Sequence, residues 1–330
     1  MKHLLARSLP FFFLAALVAV LSAVAPGFAT TGNIGDILRY TAVFVIMGVG
    51  MTFVIVSGGI DLSVGSVLAF SSVVAAWSMR SLVPVAARLL GAGEAPSALA
   101  VALCVAVSVL VGMAVGAAWG LLNGLLVTRV GLPPFIATLA TMGMARGFAH
   151  LLARALTGGN TTVEITQAAF KFLGGGFTPA AITVAVVVLG YYMLNHMRVG
   201  RYAFAIGSNV EAARYSGIAV ARYTLYVYLL LGVLSGLAGM IEASMLGAGD
   251  STLGDAYELR TIAAVVIGGA SLSGGHGTII GTLIGALIMG VIKDGCILLN
   301  ISFFWQLVVI SLLIIVAVAF DMFQRRRSGA

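Results

Sequence analysis

The sequence predicts an all-α, polytopic transmembrane helical bundle, and three observations lead to that fold class. Hydrophobic residues make up 61% of the chain and charged residues only 9%, against roughly 25% charged residues in an ordinary soluble domain. The mean hydropathy is +1.12. The 330 residues fall into about ten apolar runs of about 20 residues, the length that crosses a bilayer as a helix. Residues 1–330 are therefore predicted to form a single transmembrane domain.

The apolar runs give the predicted spans in chain order. They are 10–25, 40–57, 62–79, 97–127, 134–153, 179–197, 223–246, 257–270, 277–299 and 303–323. The run 97–127 is long for one helix, and the run 257–270 is too short to span alone. The predicted number of spans therefore ranges from about eight to eleven.

Basic residues set the predicted orientation of the spans. With the first residue inside, the loops predicted to be cytoplasmic contain Arg129, Arg198, Arg201, Arg214, Arg222, Arg325, Arg326 and Arg327. Short cytoplasmic loops carry an excess of Lys and Arg, so both termini are predicted to be cytoplasmic. The net charge of +7 is attributed to this topology, and no nucleic acid is expected as a partner. An uncleaved first helix is favoured over a secretion signal, the alternative reading of the basic N-terminus.

In the segment 50–66, a glycine pair and then an acidic residue interrupt a stretch that is otherwise apolar. Gly58 and Gly59 free the backbone from helix, and irregular backbone at membrane depth requires partners from protein or a cavity. Asp61 follows, and a carboxylate at that depth faces a packed or watery interior and marks a pathway or a hinge. A similar string begins at Gly268 and Gly269. Because transporters often carry broken helices at corresponding places in each half, broken helices are predicted at both sites.

Other polar residues within spans are weaker pathway candidates. Asn123 lies in the run 97–127, and Thr138 and Thr141 share a face of the helix that follows Pro133 and Pro134. The alternative for the threonines is a hydroxyl bonded to its own helix backbone. Glycines recur every four residues at Gly112, Gly116, Gly120 and Gly124. This spacing indicates close helix packing, either in a tight bundle or in a helix that slides.

The longest polar interruption predicted to be cytoplasmic is the segment 198–222. Ser208 and Glu211 have the spacing of a capping box, which predicts a two-turn helix over 209–216. Gly217 supplies the left-handed residue that ends helices. So short a helix is marginal alone. Two alternatives remain at this point: the helix docks its small-residue face in a groove of a partner, or it rests on anionic lipid.

No catalytic, metal or cofactor motif is present in the sequence. It contains no nucleotide-binding Gly-x-x-x-x-Gly-Lys-[Ser/Thr] loop, no zinc-binding His-Glu-x-x-His and no Gly-x-Ser-x-Gly nucleophile turn. The chain is therefore not expected to be an enzyme. Composition leaves a secondary transporter, a channel and the pore subunit of a pump as alternatives.

Four strings resemble a known family along most of the chain. In order they are SGGIDLSVGS, GLPPFIATLATMGMARG, GRYAFAIGSNVEAARYSGI and AYELRTIAAVVIGGASLSGGHGTIIGTLIGALI. They are similar to the permease subunits of bacterial ATP-binding-cassette importers for monosaccharides, of the ribose, xylose and arabinose type. The resemblance implies a homodimeric inner-membrane permease that works with a cytoplasmic ATPase and a periplasmic sugar-binding protein.

The resemblance also favours docking on the ATPase as the role of the short helix. It implies that 198–222 is a cytoplasmic coupling loop within a single permease domain. It does not imply which residues of the pore would bind the sugar. The residues assigned to ATPase coupling are Ser208, Asn209, Glu211, Ala212, Ala213, Arg214 and Gly217. The expected function is import of a monosaccharide by alternating access. The alternatives are a related permease for a branched-chain amino acid or a furanosyl signal, a stand-alone proton-coupled carrier with Asp61 as its proton site, and a scaffold without transport.

Overall fold

The structure, a computed structural model, describes residues 2–89, 97–302, 304–306, 308–309, 311–312, 315–316 and 319. Within this part of the chain the helices are α1 Lys2–Val24, α2 Thr31–Val56, α3 Val64–Leu89, α4 Ala98–Leu125, α5 Pro134–Thr157, α6 Thr178–His196, α7 Arg198–Ser208, α8 Val210–Tyr215, α9 Val220–Leu246, α10 Tyr257–Ile267 and α11 Ile279–Leu298. A π-helical turn, Leu126–Val130, extends α4, and a 3-10 turn covers Ala168–Phe172. The polytopic helical bundle predicted from the sequence is confirmed.

Seven helices of the described residues are long and apolar enough to cross a membrane. They are Thr31–Val56, Val64–Arg88, Ala98–Val130, Pro134–Thr157, Thr178–His196, Val220–Leu246 and Ile279–Leu298. The first predicted run corresponds to a shorter apolar helix, Pro10–Val24. The run 257–270 forms only the 11-residue α10, and the run 303–323 lies partly outside the described residues.

The structure explains the long run and moves the start of another. Gly131, in the left-handed region at φ 79°, ends the π-helical turn, so the long run 97–127 is one helix that closes with a wider turn. Helix α2 begins at Thr31, where the Thr30 hydroxyl caps the Asn33 amide, nine residues before the predicted start of that span at Tyr40. The polar residues of the first turns hid this start, because hydropathy registers only the apolar part of a helix.

The chain contacts divide into two compact units. Unit 1 comprises Met1–Ile60, Ile182–Tyr223 and Leu259–Ala330. In unit 1 helix α11 packs against α1 and α2, and the hydroxyls of Thr52 and Thr282 are 2.6 Å apart in a buried bond. Helices α10 and α11 approach closely at Gly285, where an added Cβ would meet the Ala264 carbonyl.

Unit 2 comprises Asp61–Ala181 and Thr224–Glu258. Its helices α4 and α9 cross at glycines: an added Cβ on Gly116 would meet the Gly232 carbonyl, and one on Gly120 would meet the Tyr228 carbonyl. The four-residue glycine spacing therefore marks a close crossing of helices, in which backbones touch without side chains between them. Trp119 and Phe148 pack with Phe70 in an aromatic cluster on another part of this unit.

A small antiparallel sheet in unit 2 was not predicted. Strand β1, Thr162–Glu164, pairs with β2, Ala248–Asp250. Arg146 fixes the turn after β2 by donating hydrogen bonds to the carbonyls of Ser251 and Leu253. Partial desolvation raises the pKa of Asp250, but hydrogen bonds from Thr162 and Thr252 outweigh it, so that this pKa lies below its ordinary value.

Candidate functional site

The segment predicted to contact a partner forms two helices joined by one residue. Helix α7 ends at Ser208, helix α8 begins at Val210, and Asn209 between them is extended, with φ −162° and ψ 107°. The Asn209 side-chain oxygen accepts a hydrogen bond of 2.9 Å from the Ala212 amide, which caps α8. Gly217, at φ 80°, follows the end of α8 in the left-handed conformation that the sequence predicted.

The predicted capping box at Ser208 and Glu211 is wrong. Ser208 belongs to the last turn of α7, where its hydroxyl donates to the Phe204 carbonyl at 2.8 Å. Glu211 instead pairs with Arg214 at 2.9 Å, and both side chains are 62% exposed. Serine and asparagine are both good N-caps. Ser208 is not available to cap α8 because it belongs to α7, a helix that was not predicted from the sequence.

Helix α8 presents one face to its own chain and another to the surroundings. Ala213 is 4% exposed, whereas Val210 is 42% and Tyr215 88% exposed. Ala212 is also exposed. Tyr215, Val210 and the ion pair together form an exposed surface. This surface suits a protein partner, because aromatic side chains provide much of the binding energy at interfaces.

The segment is anchored where it meets the long helices. A Cβ on Gly200 would meet the backbone of Leu194, so α7 leaves α6 through a tight corner. Tyr202 of α7 meets Tyr223 of α9 edge to face, with ring centroids 4.5 Å apart. These contacts hold α7 in place, and α8 follows it after a single residue.

Asp61, Asn123 and Thr141, three of the pathway candidates, meet in one buried network of unit 2. Both the amide and the hydroxyl of Ser63 donate to Asp61 Oδ1 at 2.7 Å. Asn123 Nδ2 donates to Asp61 Oδ2 at 3.1 Å and to Ser63 Oγ at 2.8 Å. Thr141 Oγ1 donates to Asn123 Oδ1 at 2.6 Å. Each of the four residues is at most 2% exposed.

This network accounts for the carboxylate in an apolar sequence. Both oxygens of Asp61 have donors, so the group is buried with hydrogen-bond partners, as buried polar groups must be. The network joins the turn before α3 to α4 and α5. Thr138 lies outside it, because its hydroxyl donates to the Pro134 carbonyl of its own helix at 2.8 Å, the alternative considered from the sequence.

The two predicted breaks end their helices in the same way. Helix α2 ends before Gly58, at φ 81°, and the Gly59 amide donates to the Val54 carbonyl at 2.9 Å. Helix α10 ends before Gly268, and Gly269, at φ 89°, takes the left-handed position. The Ala270 amide donates to the Val265 carbonyl at 3.1 Å. Both are Schellman-type ends, which require a left-handed residue that glycine supplies without strain.

A cleft in unit 1 was not identified from the sequence. It lies between α2 and α11, and Arg260 of α10 also lines it. The Lys293 ammonium lies 4.9 Å from the centroid of the Tyr40 ring, and Asn33 donates to Asp294 at 2.7 Å. No sequence pattern indicates Tyr40 as a site residue; only its proximity to Lys293 in the structure does so.

Comparison with known proteins identifies the family. The profile described as branched-chain amino acid transport system / permease component matches residues 33–318. The ribose import permease of Bacillus subtilis strain 168 is 44% identical over 94% of this chain and 91% of its own length. The ribose import permease of Escherichia coli K12 is 40% identical over 92% of this chain and 90% of its own length.

The similarity extends to a permease named for another solute. The D-allose transport system permease of Escherichia coli K12 is 36% identical over 94% of this chain and 90% of its own length. No solved structure matches the chain. Since the family profile spans residues 33–318 and these permeases align over nearly the whole chain, this protein belongs to the family of membrane-embedded permease components of transport systems.

Proposed function

We propose that this chain is the membrane-spanning subunit of an ATP-binding-cassette importer that passes a monosaccharide across the bacterial inner membrane. The observation that carries the proposal is the 44% identity to a ribose import permease over 94% of the chain. The allose permease, at 36% identity, supports the same solute class. The sugar would arrive from a periplasmic binding protein and cross by alternating access.

The energy source in this proposal is a separate protein. The sequence contains no nucleotide-binding loop, so ATP hydrolysis is assigned to a cytoplasmic ATPase subunit. A second copy of the chain would complete the pore, and membrane lipid would surround it. Residues 1–330 would act as a single permease domain with both termini in the cytoplasm, and 198–222 would be its coupling loop.

Helix α8 is where the ATPase would act. Closure of the ATPase dimer would displace α8 through the exposed residues Val210, Glu211 and Tyr215, and the attached spans would then reopen the pore toward the other side. Asn209 supports this role because it is the single extended residue between α7 and α8 and because its side chain caps α8. Gly217 supports it by ending α8 with a turn that frees the chain to enter α9.

The solute path in this proposal needs few charges. Neutral sugars are bound through hydrogen bonds and aromatic faces, and affinity can reside in the separate binding protein. Asp61, Asn123 and Thr141 are bonded to one another and to Ser63, so we assign them to a wall that fixes the path. Thr138, on the same helix as Thr141, stays a pathway candidate, as do Gly58 and Gly59 at the end of α2.

Reconstituted transport tests the proposed function. The chain is purified with the ATPase and the binding protein that copurify with it and is placed in liposomes with labelled ribose. We expect uptake that requires both ATP and the binding protein. Absence of ATP-dependent uptake of ribose and of competing monosaccharides from a complex that hydrolyses ATP would contradict the proposed solute class.

Replacing Glu211 by Lys tests the contact between α8 and the ATPase. The change reverses an exposed charge and breaks a surface ion pair worth at most about 1 kcal/mol, so the chain should insert and fold normally. We expect sugar uptake to fall about tenfold, a typical size for the loss of coupling between two sites. Uptake and ATP hydrolysis are measured in the same liposomes.

The matched control for this variant is Glu211→Lys combined with Arg214→Glu. The double variant restores the ion pair within α8 but leaves both charges exchanged toward a partner. Low uptake in both variants supports a contact with the ATPase. Normal uptake by Glu211→Lys alone would refute that contact.

A branched-chain amino acid is the second candidate solute, because the matching family profile is described by that class. The two candidates differ in the ligand of the copurifying binding protein. Leucine competing with ribose for uptake would favour the amino acid, whereas competition by allose alone would favour the sugar. The relatives named for sugars, at 36% to 44% identity, make the sugar our first choice.

A further inference from the structure

We propose that Gly207 is a positioning residue, which transmits displacement of α8 to the end of α2 and to the loop between α10 and α11. The proposal rests on the proposed function, because it requires α8 to be moved by an ATPase. It concerns four residues of unit 1 that we name the glycine junction: Val56, Gly207, Gly274 and Gly275. Their contacts are made almost wholly by backbone atoms.

Gly207 lies in the last turn of α7, where a side chain has no room. A Cβ added to Gly207 would meet the Val56 carbonyl oxygen, and it would lie 2.6 Å from the Gly275 amide nitrogen. Real Cβ atoms do not approach backbone atoms so closely, and neither neighbour is a flexible side chain that could turn away. The end of α7 is therefore in direct contact with the end of α2 and with the loop between α10 and α11.

The loop residues complete the junction from the other side. The Gly275 amide donates a hydrogen bond of 2.9 Å to the Val56 carbonyl. A Cβ on Gly274 would lie 2.7 Å from the Gly207 carbonyl oxygen. Gly274 and Gly275 have φ of 85° and 75°, a conformation that glycine adopts without the strain that other residues incur.

The contacts form a short mechanical path. Helix α8 begins at Val210, so only Ser208 and Asn209 separate it from Gly207. Val56 is the last residue of α2, two residues before the left-handed Gly58, and Gly274 lies between the end of α10 and the start of α11. Close-packed backbone has low compressibility and transmits strain. A displacement of α8 thus reaches the end of α2 and the loop between α10 and α11 without passing through a long, flexible side chain.

A tight but passive packing contact is the alternative, and it differs in its effect on coupling. If the junction only stabilises the fold, then enlarging Gly207 lowers the yield or thermal stability of the complex, and uptake and ATP hydrolysis fall together. If the junction transmits movement, then the assembled complex hydrolyses ATP without moving solute. The number of ATP molecules hydrolysed per ribose imported separates the two.

The first arm of the test is Gly207→Ala in the full complex in liposomes. We expect ribose uptake to fall about tenfold with little change in ATP hydrolysis, so that the ATP used per ribose rises about tenfold. The control is Gly35→Ala in the same unit, because a Cβ there would meet no described atom within 4 Å. Normal uptake by Gly207→Ala would overturn the proposal, as would a parallel loss of uptake and hydrolysis.

The second arm does not depend on Gly207→Ala folding. A Cβ on Gly275 would lie 2.8 Å from the Ser208 hydroxyl oxygen, so the pair Ser208→Cys and Gly275→Cys is within reach of a disulfide. A junction that moves as one body still works when locked, so oxidation should leave at least about half of the uptake of the reduced sample. Each single cysteine variant is the control.

Loss of uptake on oxidation, restored by a reductant, would mean that the junction opens during transport and would overturn the proposal. The wild-type complex distinguishes this outcome from a failure of the proposed function. If the wild-type complex imports no monosaccharide, the proposed function fails. If it imports ribose and the locked variant does not, only the role of Gly207 fails.

Discussion

The turn at Asp61 and the glycine junction are both places where helices are interrupted, but they are held by different kinds of contact. The turn in unit 2 is held by side chains, with hydrogen bonds of 2.6 to 3.1 Å that link Asp61, Ser63, Asn123 and Thr141. The junction in unit 1 is held by backbone, with Gly207 against Val56 and Gly275.

This difference predicts two different responses to substitution. A buried side-chain network has donors that are left unpaired when one member is removed, so damage to it lowers the free energy of unfolding. In the glycine junction no side chain is a donor, and a Cβ on Gly207 would instead press on the Val56 carbonyl and the Gly275 amide, which alters how two helix ends move together. The turn at Asp61 should therefore be sensitive in stability, and the glycine junction in coupling.

Replacing Asp61 by Ala should have the largest effect on stability. It leaves the donors of Ser63 and Asn123 without the carboxylate in a buried site, and each unpaired buried group costs about 1–3 kcal/mol. We expect a loss of about 2–5 kcal/mol, measured by thermal or denaturant unfolding in detergent. Asp61→Asn keeps one acceptor and should lose less.

The Asp61→Asn variant also separates the structural role from a proton site. If Asp61 serves the fold, the transport loss of this variant follows its loss of stability and is relieved when equal amounts of folded variant and folded wild-type protein are compared. A variant of wild-type stability that imports no solute would contradict the structural role and favour the proton-coupled carrier.

Replacing Asn123 by Ala should have the next effect. The change removes the donor to Asp61 and Ser63 and the acceptor for Thr141, but it leaves Asp61 bonded to Ser63. We expect about 1–3 kcal/mol of destabilisation in the same unfolding measurement. A larger loss than that of Asp61→Ala would show that Asn123, rather than the carboxylate, organises the turn.

The smallest effect is expected for the two threonines of α5, which provide a matched pair. Thr141→Val removes a hydrogen bond to Asn123, worth about 1 kcal/mol. Thr138→Val removes only a bond to the carbonyl of its own helix and should change stability by less than about 0.5 kcal/mol. Equal losses for the two variants would contradict the assignment of Thr141 alone to the network.

The sequence supports these residues unequally as candidates. Asp61 can be selected because a carboxylate in an apolar stretch demands partners. Thr138 and Thr141 share a face by spacing, but only packing of α5 against α4 decides that Thr141 reaches Asn123. That three separated segments meet at Asp61 depends on tertiary contacts, which no local pattern encodes.

The fold was predictable where hydropathy decides it, and less so where local motifs compete. The spans at α5, α6 and α11 agree with their apolar runs to within a few residues, because one lipid-crossing length fits each run. At Ser208 and Asn209 two good N-caps are adjacent, and the prediction chose the wrong one because α7 was not foreseen. The pairing of β1 with β2 joins short segments far apart in the chain, which sequence patterns do not register.

The central claim is that the chain is a gate driven by a partner, and its most direct test is uptake by the chain with and without that partner. Purified chain is placed in liposomes alone, under a pH gradient, and again with its ATPase, its binding protein and ATP. We predict that labelled ribose accumulates only in the second case. Accumulation by the chain alone against a concentration gradient would contradict the claim.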